Sequence, residues 1–88
     1  MASYRLILSR SFEKDVRKLP SEVMARIVGK TKALAEDPFP SDAKKLRGEK
    51  GKYRLRVGDY RIVYTVDTEM LEIDLIYARH RKDVYRNL

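Results

Sequence analysis

The chain of 88 residues contains no cysteine. That absence excludes a disulfide framework, a thiolate zinc site and a cysteine nucleophile. Histidine is nearly absent as well: His80 stands alone, too little for a histidine-based metal cluster. No apolar run approaches the ~18 residues that span a bilayer. The opening MASYRLILSR reads as too short and too polar for a secretory leader. A cytoplasmic protein that engages no membrane is expected. The chain also lacks a P-loop, a Ser-His-Asp arrangement and a carboxylate pair suited to glycoside hydrolysis. Asp42, Glu49 and Asp59 read as isolated loop acids. A chain this short buries only roughly 60% of its unfolded surface. One domain over residues 1–88, with a surface groove rather than an enclosed site, is the expectation.

What is present is positive charge. Twenty Lys and Arg against thirteen Asp and Glu give a net charge of +7. Such a balance draws polyanions: nucleic acid, an anionic membrane or an acidic protein. It also occurs in small domains that are merely well solvated. Here the excess is local. Residues 44–61 hold eight basic and two acidic residues, a net +6. These bases are Lys44, Lys45, Arg47, Lys50, Lys52, Arg54, Arg56 and Arg61. A phosphate backbone bound there would be held in a salt-dependent way.

The patterning predicts an α+β fold of order βααβββ with a short C-terminal helix or tail. SYRLILS (3–9) alternates as a strand. Phe12, Val16 and Leu19 then recur at helical spacing, with Ser9 or Ser11 as cap and Pro20 as stop. A second helix follows Ser21, its apolar stripe made by Met24, Ile27, Val28, Thr31, Leu34 and Ala35. Gly29 inside it marks a candidate close helix crossing. Residues 36–52 read as the one extended irregular stretch, punctuated by Pro38, Pro40, Gly48 and Gly51. KYRLRV and YRIVYTVD flank Gly58-Asp59, a two-residue hairpin signal. The last strand, EMLEIDLIYARH, alternates Leu71, Ile73, Leu75 and Tyr77 against Glu72, Asp74, Ile76 and Ala78. Two helices over one face of a small, mainly antiparallel, twisted sheet is the expected architecture.

The hairpin fixes where its arginines go. With Gly58 and Asp59 as the loop, 56 pairs with 61, 55 with 62, 54 with 63 and 53 with 64. Side chains alternate faces with period two. Tyr53, Leu55, Val57, Tyr60, Ile62 and Tyr64 therefore share the core face, and Arg54, Arg56, Arg61 and Val63 the other. Arg56 then opposes Arg61, a like-charge pair that costs within the ~0.2–1 kcal/mol range of cross-strand energies. One reading is a solvated face on which long side chains splay, balanced by Glu72 and Asp74. The other is a preformed anion site, because the guanidinium fork binds phosphate oxygens bidentately and stays charged. A turn at Thr68-Glu69 would place Ile76 beside Arg61, with Arg79, His80, Arg81 and Lys82 near the edge of the arginine face. His80 reads either as an exposed surface residue or as a general acid, a base or a stacking group. Tyr85 is either a terminal core anchor or a base-stacking aromatic.

A basic face with one histidine and several tyrosines suits one metal-free reaction in particular. RNA can be cut by its own 2′-OH attacking the adjacent phosphate, so the protein need supply only alignment, proton transfer and charge stabilisation. The stretches KKLRGEKGKYRLRVGDYRIVYTV and ARHRKDVYRNL, with the DPFP turn, strongly resemble the RelE branch of the RelE/ParE toxin superfamily over nearly the whole chain. The ending HRKDVY points to RelE-type ribonucleases more than to ParE.

That resemblance implies a type II toxin that enters the ribosomal A site and cleaves mRNA there without metal or cofactor. Its catalytic set would fall on Arg54, Arg56, Arg61, Arg81 and Tyr85. Lys44, Lys45, Arg47, Lys50, Lys52, Arg79 and Lys82 would contact RNA or the 16S rRNA of the ribosome. Arg54 and Arg56 stand where some members have lysine, which leaves the general base unassigned; some relatives carry a histidine near the terminal motif, making His80 a candidate. The resemblance further implies a RelB-like cognate antitoxin that folds onto the toxin and links it indirectly to operator DNA. Two other readings stay open: a ParE-like toxin that poisons DNA gyrase without cutting RNA, and a non-toxic basic interaction module.

Overall fold

The computed structural model describes residues 3–48 and 50–82. Its elements run β1 (Arg5–Leu8), α1 (Arg10–Arg17), α2 (Ser21–Glu36), β2 (Ala43–Lys45), β3 (Lys52–Val57), β4 (Tyr60–Asp67) and β5 (Glu72–His80). They form an α+β fold in which five strands make one sheet of order β1-β5-β4-β3-β2. All neighbours are antiparallel except β1, which runs parallel to β5. The expected order is thereby extended by one strand. β2 lies inside the stretch read as irregular, because three residues, two of them lysine, give no apolar alternation; pairing with β3 makes it a strand. The expected C-terminal helix or tail lies outside the described residues beyond Lys82.

α1 starts where Ser9 accepts the Phe12 N–H at 3.1 Å, an N-cap that satisfies one orphan donor of the first turn. The same hydroxyl donates to the Ile76 carbonyl at 2.7 Å, tying the helix to β5. Pro20 closes the link and serves as N-cap of α2. The buried line of α2 is narrower than its sequence stripe. Ile27, Thr31 and Leu34 are buried, while Met24 and Val28 are exposed. Gly29 has nothing within 4 Å of where a Cβ would sit, so it marks no close crossing.

The core gathers Phe12, Ile27, Leu34, Leu55, Val57, Ile62, Tyr64, Ile73, Leu75 and Ala78, with Tyr53 and Tyr60 packed at its margin. The hairpin register and its core face are as the Gly58-Asp59 turn requires. Gly58 has φ 59°, and no other residue of this turn has positive φ, the pattern of a type II′ hairpin. The DPFP turn is held from below: the Tyr64 hydroxyl donates to the Pro38 carbonyl at 2.9 Å. Phe39 packs edge-on against Tyr53, and Tyr53 stacks on Tyr64, at centroid distances of 5.2 and 5.8 Å. This stack places the segment that enters β2. Among the described residues no helix is long and apolar enough to cross a membrane.

Candidate nucleic-acid interface

The site is built by strand register. β3 and β4 place Arg56 opposite Arg61, as the turn predicts. The next neighbour differs from expectation: Arg61 faces Arg79, three residues beyond Ile76. Two causes add. The β4–β5 loop has four residues rather than two, since Thr68-Glu69 offers no glycine for a tight hairpin. Instead Asp67 accepts the N–H groups of Glu69 and Met70 at 3.0 Å, and Leu71 closes the loop at φ 55°. The third residue comes from a bulge in β5, where the pairs change from Tyr64–Leu75 to Val63–Tyr77 and skip Ile76.

That bulge reverses the faces of everything after it. Tyr77 leaves the core face on which strict alternation puts it. Ala78 takes its place and is buried, and Arg79 joins the arginine face. Three arginines, Arg56, Arg61 and Arg79, therefore stand in one row across three adjacent strands. Beside it runs a second row, Lys44, Arg54, Val63 and Tyr77.

The charges in the row are placed, not splayed. Arg56 donates from Nε to the Gly58 carbonyl at 3.0 Å. Arg79 lies over the Tyr77 ring, its Cζ 4.4 Å from the centroid. Its Nε is 3.6 Å from the Asp15 carboxylate on α1. The same Asp15 oxygen accepts the Ala78 N–H at 3.1 Å, so α1 caps the strand edge that β1 leaves unpaired. Glu72 and Asp74, expected to balance the arginines, lie at the far end of β5 and engage Arg5 and Thr65 instead.

Beside the row, Asp42, Lys44, Arg54, Arg56 and Arg61 line a concavity of about 360 Å³. Continuing the β2–β3 register by one residue brings Asp42 level with Arg56. The arginine row thus has a carboxylate at each end, Asp15 at β5 and Asp42 at β2. Sequence reasoning missed both: Asp15 was one acid of a helix, and Asp42 looked isolated while β2 went unrecognised.

The other expected site residues divide. Lys52 pairs with Thr65 and shares the arginine face. Lys45 pairs with Tyr53 and points to the opposite face. With Arg47 and Lys50 it borders a separate depression of about 410 Å³ along the β2–β3 loop. His80 is not in the row: it pairs with Tyr60, and the two rings meet edge-on at 5.2 Å. Its Nδ1 accepts the Lys82 N–H at 3.2 Å, and the Arg81 N–H donates to the Asp59 carbonyl at 2.8 Å, which brings the terminal cluster to the hairpin turn. Tyr85 lies outside the described residues.

The fold is thus a small βααββββ domain with a row of three arginines beside an open concavity. The family profile of the ParE toxin of type II toxin–antitoxin systems matches residues 6–85, and the chain belongs to that family. Its relatives include RelE-type toxins. Toxin RelG of Mycobacterium tuberculosis is 27% identical over 84 residues, 94% of this chain and 97% of that protein. Toxin RelE3 of Methanocaldococcus jannaschii is 31% identical over 91 residues, 92% of this chain and 94% of that protein. Among solved structures, the archaeal RelE–RelB complex of Pyrococcus horikoshii superposes with a TM-score of 0.81 at 28% identity, covering 90% of this chain and 96% of that one.

Proposed function

We propose that the chain is a ribosome-dependent endoribonuclease that cleaves mRNA in the ribosomal A site, and so inhibits translation. The observation that carries this reading is the Arg56–Arg61–Arg79 row beside the concavity. A phosphate seated there removes the mutual repulsion of the guanidiniums. As the 2′-oxygen attacks, charge builds on the non-bridging oxygens, and fixed guanidiniums stabilise it more than they stabilise the ground state. Arg54 and Lys44 extend the basic face along the RNA backbone, and Lys45, Arg47 and Lys50 offer a second contact area to rRNA. Arg81, Tyr85 and His80 are the candidates to protonate the leaving 5′-oxygen. No cofactor is needed, because the nucleophile belongs to the substrate. A RelB-like antitoxin is the proposed partner, since relatives of the same fold occur in RelE–RelB complexes. It would cover the basic face and connect the toxin to operator DNA.

Induction in a bacterial host, with mapping of mRNA 5′ ends, tests the proposal. Codon-phased cuts that vanish in Arg61→Ala and diminish in Tyr85→Phe are expected. A second reading, gyrase poisoning, is favoured by the family match itself, which is to ParE. DNA-damage induction with intact mRNA would select it and reject the ribonuclease.

A further inference from the structure

The reaction just proposed lacks a base. A guanidinium cannot accept a proton at neutral pH, and His80 stands beside Tyr60 rather than in the arginine row. Among the described residues that line the concavity there is one carboxylate, Asp42. Its side chain is 52% exposed, so substrate reaches it. It stands level with Arg56 at the end of the row. On the side of α2, Lys30 Nζ lies 3.6 Å from Oδ2, which anchors the carboxylate to the helix behind it. The anchored DPFP turn fixes the backbone a few residues upstream.

We infer that Asp42 is the general base of the cleavage reaction; the inference rests on the ribonuclease reading. A phosphate bound by Arg56 and Arg61 puts the neighbouring ribose over the Asp42 side of the concavity. The carboxylate takes the 2′-OH proton as O2′ bonds to phosphorus. The P–O5′ bond breaks, and the 5′-oxygen takes a proton from the acid. The products are a 2′,3′-cyclic phosphate and a 5′-hydroxyl end, with no oxidant, metal or further reactant consumed. Lys44 lines the same concavity, but a lysine ordinarily enters as an ammonium and must lose a proton before it can accept one, whereas a carboxylate accepts directly.

An isolated structural role for Asp42 makes the opposite forecast. If the carboxylate only neutralised Arg56 and held Lys30, removing its charge would strengthen phosphate binding and leave the cleavage step alone. The test is single-turnover cleavage by the purified full chain on ribosomes programmed with mRNAs differing in the A-site codon. RNA affinity is measured in parallel on the same mRNAs carrying a 2′-deoxy nucleotide at the cut position. Asp42→Asn is expected to slow cleavage by ~10²–10⁴-fold, the usual contribution of a positioned base, with affinity unchanged or tighter. Asp42→Glu restores part of the rate. Lys30→Ala, which releases the anchor and keeps the carboxylate, slows cleavage far less than Asp42→Asn does. Asp42→Asn cleaving at the wild-type rate, or Lys30→Ala failing as badly as Asp42→Asn, overturns the inference while leaving the ribonuclease reading intact. Wild-type protein that cuts none of the mRNAs overturns both.

Discussion

Tyr64 has no exposed surface, yet its hydroxyl is satisfied, because it donates to the Pro38 carbonyl. Burial first, then the neighbouring Tyr53, Asp42 and Asp37, push its phenol well above the ordinary tyrosine range. The folded state therefore holds this proton more tightly than the unfolded chain does. Its stabilising contribution is complete below the ordinary tyrosine pKa of ~10 and is lost as pH climbs beyond it. Denaturant titrations from pH 8 to 11 are expected to show stability falling above about pH 10, and the fall should be shallower in Tyr64→Phe. At neutral pH the same variant loses a buried hydrogen bond and strands a carbonyl, a cost of about 1–3 kcal/mol. Ser9 also has two duties, capping α1 and reaching Ile76 of β5. Ser9→Ala should destabilise by about 1–2 kcal/mol, read as a shift in urea midpoint. The N-cap half of that role was legible in the sequence. The tie to Ile76 was not, since it depends on where a strand from the other end of the chain is laid down.

The strands carry the site, and legibility divides among them by the kind of signal each offers. The β3–β4 hairpin was readable to single pairs because Gly58 fixes its turn, and register follows from a turn by counting. Gly58→Ala would force a side chain into the left-handed region; the expected loss is ~1–2 kcal/mol, measurable by thermal denaturation. β2 was unreadable, being three residues long and held by its partner. The place of Arg79 was unreadable too, since neither an acceptor-built loop nor a bulge has a reliable local signature. These two misses hid different parts of the site: the first concealed Asp42, the second the third arginine. At this scale the arginine row makes its own forecast. An anion that relieves its repulsion must stabilise the fold. Inorganic phosphate at ten times its dissociation constant should add about 1.4 kcal/mol, which for a domain of this size raises the melting midpoint by several degrees. Arg61→Ala should abolish the increment.

For the molecule as a whole, a net charge of +7 is nearly matched by the excess in residues 44–61, and the proposed function makes this region the place where RNA would land. RNA affinity should fall steeply with salt. Removing one phosphate contact, as in Arg54→Ala, should lower the slope of log affinity against log salt by about 0.7; an unchanged slope would mean that Arg54 touches no phosphate. The α+β class and the core were readable because helical and alternating periods mark them, whereas the interface depended on which residues of distant strands share a row. That dependence gives the bulge at Ile76 a meaning of its own. The final stretch of β5 is a message written in odd and even places, and the bulge shifts its phase by one. Let Ile76 take a regular place in the ladder instead, and Tyr77 and Arg79 turn toward the apolar interior while Ala78 turns to water; delete Ile76, and the Tyr64–Leu75 pair runs straight into Val63–Tyr77 with every later face kept. The third arginine is specified by a count rather than by an amino acid: one residue added between Ile76 and Tyr77 would take Arg79 out of the row as surely as the loss of the arginine itself, whereas loss of Ile76 would leave it there.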